Sequence, residues 1–465
     1  MIKKLYLGLL LLGTLQANAQ LALRLPSILS DHAVLQQSSD VKLWGLGPGA
    51  MEVSIVADWN SKDTITIPIG ADCLWETTLK TPKAGGPYSI RFICGKQSIT
   101  INDILTGEVW LCSGQSNMEF NAHWGISDAG DAASTCNNKE IRFFQVQQNY
   151  DSYPLSDCKG EWKVCDTTTM PAFSSIGYFF GRKLNDCLKV PVGLIGSYWG
   201  GTCIEAWMPK EAFGNNADLK KINASIEPYG WAPKGATELY NAMIHPLTNY
   251  KPAGVIWYQG EANVANEPDD YGKLYRAMVQ SWRSEFQSGL PVYSVQIAPW
   301  NGYEGIKAAF LREQQEDCLS LPETGMISVA DLVNDVSNIH PQQKRAAGER
   351  LANLVLTEYY AQTGLQPFSP HFVSWTVQHN KAIVSIRSLG RLIGKTKTIA
   401  NFQLAGSDRK FYPATAIIDK KGHIILVAKQ VTVPVAVRYC FTNDAIPDLF
   451  DINGLPLPPF RTDKW

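Results

Sequence analysis

Four short segments of the chain carry residue types that together could perform acyl transfer. They are centred on Ser116, on Gly200 and Gly201, on Asn263 and on His340. Ser116 lies in the segment 113–118, which directly follows the apolar run 108–112, and that run reads as a buried strand. The four segments occur in the order expected if each follows a successive parallel strand, because the carboxyl ends of such strands meet at one edge of a sheet. The order therefore predicts one site assembled from distant parts of the sequence.

Acyl transfer needs a nucleophile, a base for its proton, and hydrogen-bond donors aimed at the developing oxyanion. Ser116 would attack, and His340 would take its proton. The donors would be the backbone N–H of Ser116, a backbone N–H at Gly200 or Gly201, and the side-chain amide of Asn263, which donates while staying uncharged. Each residue alone has an ordinary structural reading as a helix cap, a tight turn or a loop residue. The coincidence of all four favours chemistry.

The elements that must position these residues alternate between strand and helix. Apolar strand candidates lie at residues 109–112, 141–146, 190–195, 254–258, 292–297 and 326–329. The clearest helical stretches lie at residues 176–188, 271–286 and 344–360. This alternation predicts an α/β domain over residues 106–365, with a parallel sheet covered on both faces.

The flanking regions have a different texture, with short alternating strands separated by turn residues. Residues 20–105 predict a β-sandwich-like domain, and residues 366–465 predict a second, C-terminal β-rich region. The pattern leaves open whether the two flanking regions pack as one body.

Composition and charge restrict the class of partner. The chain has 465 residues, which predicts two or three domains and a well-buried core. Its formal net charge is only -1 and it has no long basic stretch, so nucleic acid is not expected as a partner. A neutral or weakly polar small substrate fits this balance better. The sequence does not indicate an oligomeric state.

The amino terminus has the features of a cleavable secretory signal. Lys3 and Lys4 precede the apolar residues 5–15, and small residues occupy the end of the segment at 17–19. The apolar stretch is too short to span a bilayer comfortably, and no second one follows. We therefore expect residues 1–19 to be a signal peptide, no membrane insertion, and an exported protein in the periplasm or outside the cell.

The ten cysteines are scattered without the paired short spacing of a zinc site, so no structural metal is expected. Export permits disulfides, and Cys158 with Cys165 is the pair close enough in sequence to be suspected. Most of the other cysteines lie in apolar runs and are expected to be small core residues.

The segments together resemble the SGNH (GDSL-like) hydrolases, and within them the sialate O-acetylesterase group with its acetylxylan esterase relatives. The resembling stretches are residues 31–36, 107–118, 199–207, 239–244, 257–263, 454–456 and 459–463, so the likeness extends over nearly the whole mature chain. The resemblance implies a flavodoxin-like three-layer core and no cofactor. It also implies that Ser116 is the nucleophile, that Gly201 and Asn263 are oxyanion donors, and that His340 is the base.

One position departs from the family pattern. Many SGNH enzymes carry an aspartate three residues before the histidine, where this chain has Ser337. Asp335, two residues earlier, could orient His340 as the third catalytic residue. A backbone carbonyl could do so instead, which would leave a working Ser-His dyad that depends more on the oxyanion hole.

The expected function is that of an exported serine esterase that removes O-acetyl groups from carbohydrate. By the resemblance, sialic acid is the first expected substrate, and acetylated xylan or another polysaccharide is the alternative. A sialate carboxylate would need a cation, for which Arg312 and Arg461 are candidates. A hypothesis of a different class is a carbohydrate-binding protein without catalysis, although a pure binder needs no nucleophile and base together.

Overall fold

The fold is described from a computed structural model that covers residues 21–465 except 215, 225–234, 266–267 and 397. The predicted signal peptide at residues 1–19 lies outside the described residues. In the part of the chain that is described, no helix combines the length and apolar character needed to cross a membrane.

The first part of the chain is built of short, mainly antiparallel strands. They are β1 (Val34–Gln36), β2 (Asp40–Leu46), β3 (Glu52–Ala57), β4 (Thr64–Pro68), β5 (Leu74–Lys80), β6 (Gly85–Cys94) and β7 (Gln97–Gly114). Strand β2 pairs with β5, while β3 pairs with β4 and β6, and β6 pairs with β7. Val53, Ile55 and Ala57 of β3 are buried and alternate with more exposed residues, as expected for strands with one face on a core.

Strand β7 belongs to two sheets. Its first half pairs antiparallel with β6, and its second half, from Glu108 to Gly114, lies in the central sheet. Burial alternates at the start of the strand and becomes continuous from Ile104 to Gly114, which is the pattern of a strand covered on both faces. The strand runs without interruption through residues 105 and 106, where the sequence predicts a domain boundary.

The central sheet adds six strands to the second half of β7. They are β8 (Asn138–Gln145), β9 (Trp162–Cys165), β10 (Val192–Tyr198), β11 (Gly254–Tyr258), β12 (Val292–Val295) and β13 (Thr324–Ile327). Their order is β13-β12-β11-β7-β10-β8-β9, and every pairing is parallel except that of β9 with β8. Because β10 and β11 lie on opposite sides of β7, the chain connections diverge at the end of β7 and open a crevice there.

Helices cover both faces of this sheet. They are α1 (Ser116–Glu119), α2 (Ala129–Thr135), α3 (Ser175–Leu188), α4 (Lys210–Phe213), α5 (Ala217–Ala224), α6 (Tyr271–Glu285), α7 (Lys307–Asp317) and α8 (Lys344–Glu358). Trp110 and Cys112 of β7 pack with residues of α3 and α8, whereas Val109 and Leu111 pack with residues of α6. This alternation divides the interior into two apolar layers, as the predicted α/β pattern requires.

The carboxyl-terminal region forms its own β-sandwich. Its strands are β14 (His371–Gln378), β15 (Lys381–Arg387), β16 (Leu392–Gly394), β17 (Phe402–Ala405), β18 (Phe411–Pro413), β19 (Thr415–Ile418), β20 (Ile424–Val427), β21 (Ala436–Tyr439), β22 (Leu449–Asp451) and β23 (Phe460–Arg461). Two four-stranded sheets, β14-β15-β20-β19 and β18-β17-β21-β23, enclose a separate apolar core. Arg461 ties this region to α7 through an ion pair with Glu313 at 2.8 Å.

The suspected disulfide between Cys158 and Cys165 is wrong, because both thiols are free. The two side chains belong to different apolar layers, Cys158 to the layer with α6 and Cys165 to the layer with α3. The Cys165 thiol instead donates to the backbone carbonyl of Cys136 at 3.0 Å. Burial raises the pKa of both thiols, so they remain protonated core groups.

Candidate active site

Ser116 and His340 meet at the carboxyl edge of the central sheet. Ser116 is the first residue of α1, directly after β7, and His340 lies in the loop between β13 and α8. Although 224 residues separate them in sequence, the Nε2 atom of His340 lies 2.9 Å from the Oγ atom of Ser116. This is the geometry of a hydroxyl that can pass its proton to an imidazole.

The surroundings of His340 favour its neutral form. The ring is partly buried, and the Phe120 ring lies 5.5 Å away between centroids. Burial, and to a smaller extent the nearby positive charge of Lys344, together lower the pKa of His340 to about 4. The imidazole is therefore free to accept a proton at neutral pH.

Asp335 lies in the same loop but is directed elsewhere. Its carboxylate accepts hydrogen bonds from the backbone N–H of Ser337 at 2.8 Å and from the Ser337 hydroxyl at 2.7 Å. Among the described residues, no hydrogen bond or ion pair joins Asp335 to the His340 ring, and none reaches Nδ1 of that ring. Among the described residues the geometry is that of a Ser-His dyad, in which Asp335 makes no hydrogen bond to the imidazole.

The turn after β10 brings two glycines against the nucleophile. A methyl group at Gly200 would lie 3.1 Å from Ser116 Cβ, so any larger residue would crowd the serine. The Gly200 N–H donates to the Glu119 carboxylate at 2.7 Å and is thus not available as an oxyanion donor. Gly201 has φ of +71°, a conformation that favours glycine, and its N–H has no acceptor among the described residues. Of the two glycines named from the sequence, Gly201 has the available N–H.

Asn263 is almost wholly buried and is not part of the described pocket lining, although its neighbours Ala262 and Val264 are. Its amide oxygen accepts from the backbone N–H of Ile204 at 3.0 Å and from Gln259 at 2.7 Å. Its amide nitrogen donates to the Glu205 carboxylate at 2.9 Å. Because an amide nitrogen carries two hydrogens, Glu205 fixes its orientation and leaves one N–H for another acceptor.

A second polar network lies under the nucleophile turn. Asn117 donates to the Glu261 carboxylate at 2.5 Å and to the backbone carbonyl of Ile339 at 3.1 Å, and it accepts from the Lys344 ammonium at 2.7 Å. Burial raises the pKa of Glu261 and lowers that of Lys344 to about 7. Glu205 and Glu261 are thus supports of the site, since they hold the side chains of Asn263 and Asn117.

The Ser116 and His340 side chains open into a pocket of about 830 Å³. Its lining includes four aromatic residues, Trp124, Trp199, Trp300 and Tyr303. The charged residues of the described lining are Glu119, Glu261, Glu304 and Lys307. An aromatic wall with scattered polar groups is suited to a sugar, whose ring has apolar faces and a hydroxyl-bearing edge.

Neither arginine proposed from the sequence as a carboxylate partner lies in this lining. Arg312 is buried and donates to the backbone carbonyls of Thr442 and Asn443. Arg461 is occupied by its ion pair with Glu313 and by Asp463 at 3.7 Å. Both guanidinium groups join the central domain to the carboxyl-terminal sandwich.

Several residues that shape the site were not assigned these roles from the sequence. Glu119 lies three residues after Ser116 in α1, and that helical spacing was a usable signal, whereas Lys344 follows His340 across a loop. The side-chain carbonyl of Gln115 accepts from the backbone N–H groups of Gly260 and Ala262, at 3.4 and 3.2 Å. Such contacts between loops have no sequence signal.

Comparison with known proteins confirms the resemblance to the sialate O-acetylesterase group. Residues 106–357 match the family model described as carbohydrate esterase, sialic acid-specific acetylesterase. The chain is 26% identical to the human sialate O-acetylesterase, over 98% of this chain and 96% of that protein. It is also 26% identical to the rat sialate O-acetylesterase, over 74% of each chain.

A solved structure extends the likeness to the fold of the whole molecule. A carbohydrate acetylesterase from Xanthomonas citri superposes with a TM-score of 0.87 at 33% identity, over 96% of this chain and all of that one. The match includes the flanking β regions as well as the central sheet. The chain therefore belongs to the carbohydrate esterase family of sialic acid-specific acetylesterases.

Proposed function

We propose that this protein is a serine esterase that removes O-acetyl groups from carbohydrate. The observation that carries the proposal is the 2.9 Å contact between Ser116 Oγ and His340 Nε2 at the mouth of an aromatic-lined pocket. Membership of a carbohydrate esterase family supports the same reaction.

The reaction follows from the positions of the polar groups. Ser116 Oγ attacks the acetyl carbonyl while its proton passes to His340 Nε2, and the carbonyl oxygen becomes an oxyanion. As the tetrahedral intermediate collapses, the C–O bond to the sugar breaks, and the His340 proton goes to the leaving sugar hydroxyl. Water, deprotonated by His340, then attacks the acetyl-enzyme, and acetate leaves as Ser116 recovers its proton.

The oxyanion needs donors that are already in place, because ordering them during the reaction would cost rate. We assign this role to the backbone N–H groups of Ser116 and Gly201 and to the side chain of Asn263. Two observations support the assignment: neither backbone N–H has an acceptor in the described part of the chain, and Glu205 orients the Asn263 amide. Because no carboxylate of the described residues bonds to His340 Nδ1, we assign more of the catalytic burden to the oxyanion hole.

O-acetylated sialic acid is the first substrate to test, since the curated relatives are named sialate O-acetylesterases. An acetylated polysaccharide is the second candidate, and a specific observation favours it. Lys307 is the one lysine or arginine in the described lining, and its ammonium is paired with Glu304 at 3.4 Å. A sugar without a carboxylate needs no cation, and the aromatic wall can accept it by stacking.

Two further expectations belong to this proposal. The core is of the SGNH type, which the nucleophile at the central strand and the three contributing loops support. The protein is exported to the periplasm or beyond, which the signal-like composition of residues 1–19 supports.

The test is acetate release by the purified protein from O-acetylated sialic acids and from acetylated polysaccharides. The wild type is expected to release acetate from at least one of these classes, and Ser116→Ala is expected to release none while keeping its melting temperature. Full turnover by Ser116→Ala would exclude Ser116 as the nucleophile. Binding of the acetylated sugar without any acetate release would favour the carbohydrate-binding hypothesis.

A further inference from the structure

A buried lysine lies next to the dyad and takes no part in the proton transfers proposed above. Lys344 is the first residue of α8 and is 1% exposed. Within the described part of the chain its ammonium has one hydrogen bond, to Asn117 Oδ1 at 2.7 Å. It lies 4.9 Å from the centre of the Phe120 ring and 5.4 Å from that of Tyr258. Burying a cation with so few partners is costly, so a purely structural role would be served better by an apolar residue.

Asn117 connects this lysine to both members of the dyad. Asn117 directly follows Ser116, and it donates to the backbone carbonyl of Ile339, which directly precedes His340. One amide thus holds the nucleophile turn and the histidine loop together. The Lys344 ammonium on Asn117 Oδ1 and the Glu261 carboxylate on Asn117 Nδ2 allow only one orientation of that amide.

The lysine also acts on the imidazole through its charge. The Phe120 ring contacts both groups, at 5.5 Å from the imidazole and 4.9 Å from the ammonium, so the two groups share a water-poor neighbour. Protonation of His340 would place a second positive charge beside the first, in surroundings that screen it weakly. We propose that Lys344 is a positioning residue that orients Asn117 between Ser116 and His340 and keeps the imidazole neutral in mildly acidic solution.

The titration order of the two groups agrees with this role. Burial lowers the pKa of Lys344 to about 7, and Glu261 opposes that shift, so Lys344 carries its charge below neutrality. The pKa of His340 is lowered to about 4, mainly by burial. Lys344 is therefore charged throughout the range in which His340 titrates.

Other ionisable groups also face His340 across the pocket. They are Glu119 from α1, Glu261 from the loop after β11, and Tyr303, Glu304 and Lys307 from the segment at the start of α7. Tyr258 of β11 faces Lys344. All of these groups are unchanged in a Lys344 variant, so a difference between its pH profile and that of the wild type is due to the lysine.

The experiment measures kcat/KM for p-nitrophenyl acetate between pH 3.5 and 8. The acid limb of that profile gives the pKa of His340 in the free enzyme. Lys344→Gln keeps an N–H donor for Asn117 and removes the charge, whereas Lys344→Met removes both. We expect the acid limb to move up in both variants by on the order of one pH unit. The plateau value of kcat/KM should stay within about threefold of the wild type in Lys344→Gln and fall further in Lys344→Met, since only the latter removes the donor to Asn117.

Lys163→Gln is the matched control. Lys163 lies on the edge strand β9, is exposed, and forms an ion pair with Glu161. It should leave the acid limb unchanged. An unmoved limb in a folded Lys344→Gln protein would overturn the inference. If that variant does not fold, Lys344→Arg replaces it: a limb at the wild-type pH supports the role of the charge, and a limb that rises overturns it.

The inference rests on the proposed function, and the same experiments separate the two. Activity that survives Ser116→Ala would contradict the proposed chemistry of the dyad itself. An inactive Ser116→Ala variant together with an unmoved limb in Lys344→Gln would remove only the role of Lys344.

Discussion

The Glu119 carboxylate accepts the backbone N–H of Gly200 at 2.7 Å, one helical turn after the nucleophile. Because this bond fixes the turn after β10, it determines where the next N–H, at Gly201, is directed. The carboxylate also accepts from Gln148 at 2.9 Å, and burial raises its pKa. Glu119 thus links the nucleophile helix to the proposed oxyanion hole.

Removal of this link should slow the chemical step. Glu119→Ala is expected to lower kcat for p-nitrophenyl acetate by about tenfold or more, because the Gly200 turn loses a charge-assisted hydrogen bond. Glu119→Gln keeps an oxygen acceptor and should lose much less. Glu304→Gln, which changes an exposed carboxylate of the same pocket, is the control. Equal kcat values for Glu119→Ala and the wild type would contradict the link.

Asn263 offers a second test of the oxyanion hole. Asn263→Ala is expected to lower kcat on the order of 10² to 10³, as for loss of one preorganised donor. Glu205→Gln, which can still accept from the Asn263 amide, should keep kcat within about tenfold. A loss below about tenfold in Asn263→Ala would restrict Asn263 to a structural role.

Asp335 should be dispensable. Its carboxylate is exposed and, among the residues described, bonds only to Ser337 in its own loop, so Asp335→Ala is expected to keep kcat/KM within about threefold. Steady-state kinetics at pH 7 check this. A loss of two orders of magnitude would show that Asp335 reaches His340 during the reaction.

The aromatic wall should act on sugar binding and not on chemistry. Trp199 lines the pocket, and Tyr150, which is 57% exposed, lies 6.4 Å from it between ring centres. Alanine at either position is expected to raise KM for an acetylated sugar by several-fold to about tenfold, while kcat for p-nitrophenyl acetate changes little. Trp465→Ala, at an exposed tryptophan of the carboxyl-terminal region, is the control. Parallel losses on both substrates would point to misfolding of the loop.

The low pKa of His340 also predicts how stability depends on pH. The folded-state pKa of about 4 lies below the ordinary value of 6.5, so as pH falls the unfolded chain takes up the proton first. The folded state therefore loses stability as pH falls from about 6.5 to about 4. In His340→Gln this contribution is absent, and its melting temperature should rise relative to that of the wild type across this range. A difference that does not change with pH would contradict the low pKa.

Local pattern was enough to predict the main helices and the partners of the dyad. The helices predicted at residues 176–188 and 271–286 span Ser175–Leu188 and Tyr271–Glu285, because their apolar residues repeat at the helical period. Ser116 and His340 could be paired because each follows a parallel strand, and the ends of such strands meet.

Side-chain direction within loops was not predictable in the same way. The separation of Asp335 from His340 depends on a turn that Asp335 itself closes through Ser337. Cys158, in the loop before β9, and Cys165, at its end, lie in different apolar layers, and Arg312 points into an interface between domains. Each of these outcomes is set by tertiary contacts, which short sequence windows do not contain.

Through strand β7, the amino-terminal β region helps to hold the catalytic centre in place. The same eighteen-residue strand that ends beside Ser116 begins as the hairpin partner of β6. A truncated protein starting at residue 106 would expose the cut end of that strand and strip away its lateral support. An exchange of the amino-terminal β region between relatives would therefore have to join the two chains within strand β7 and not within a linker. A change of the strand at that junction would also shift the turn that carries the nucleophile.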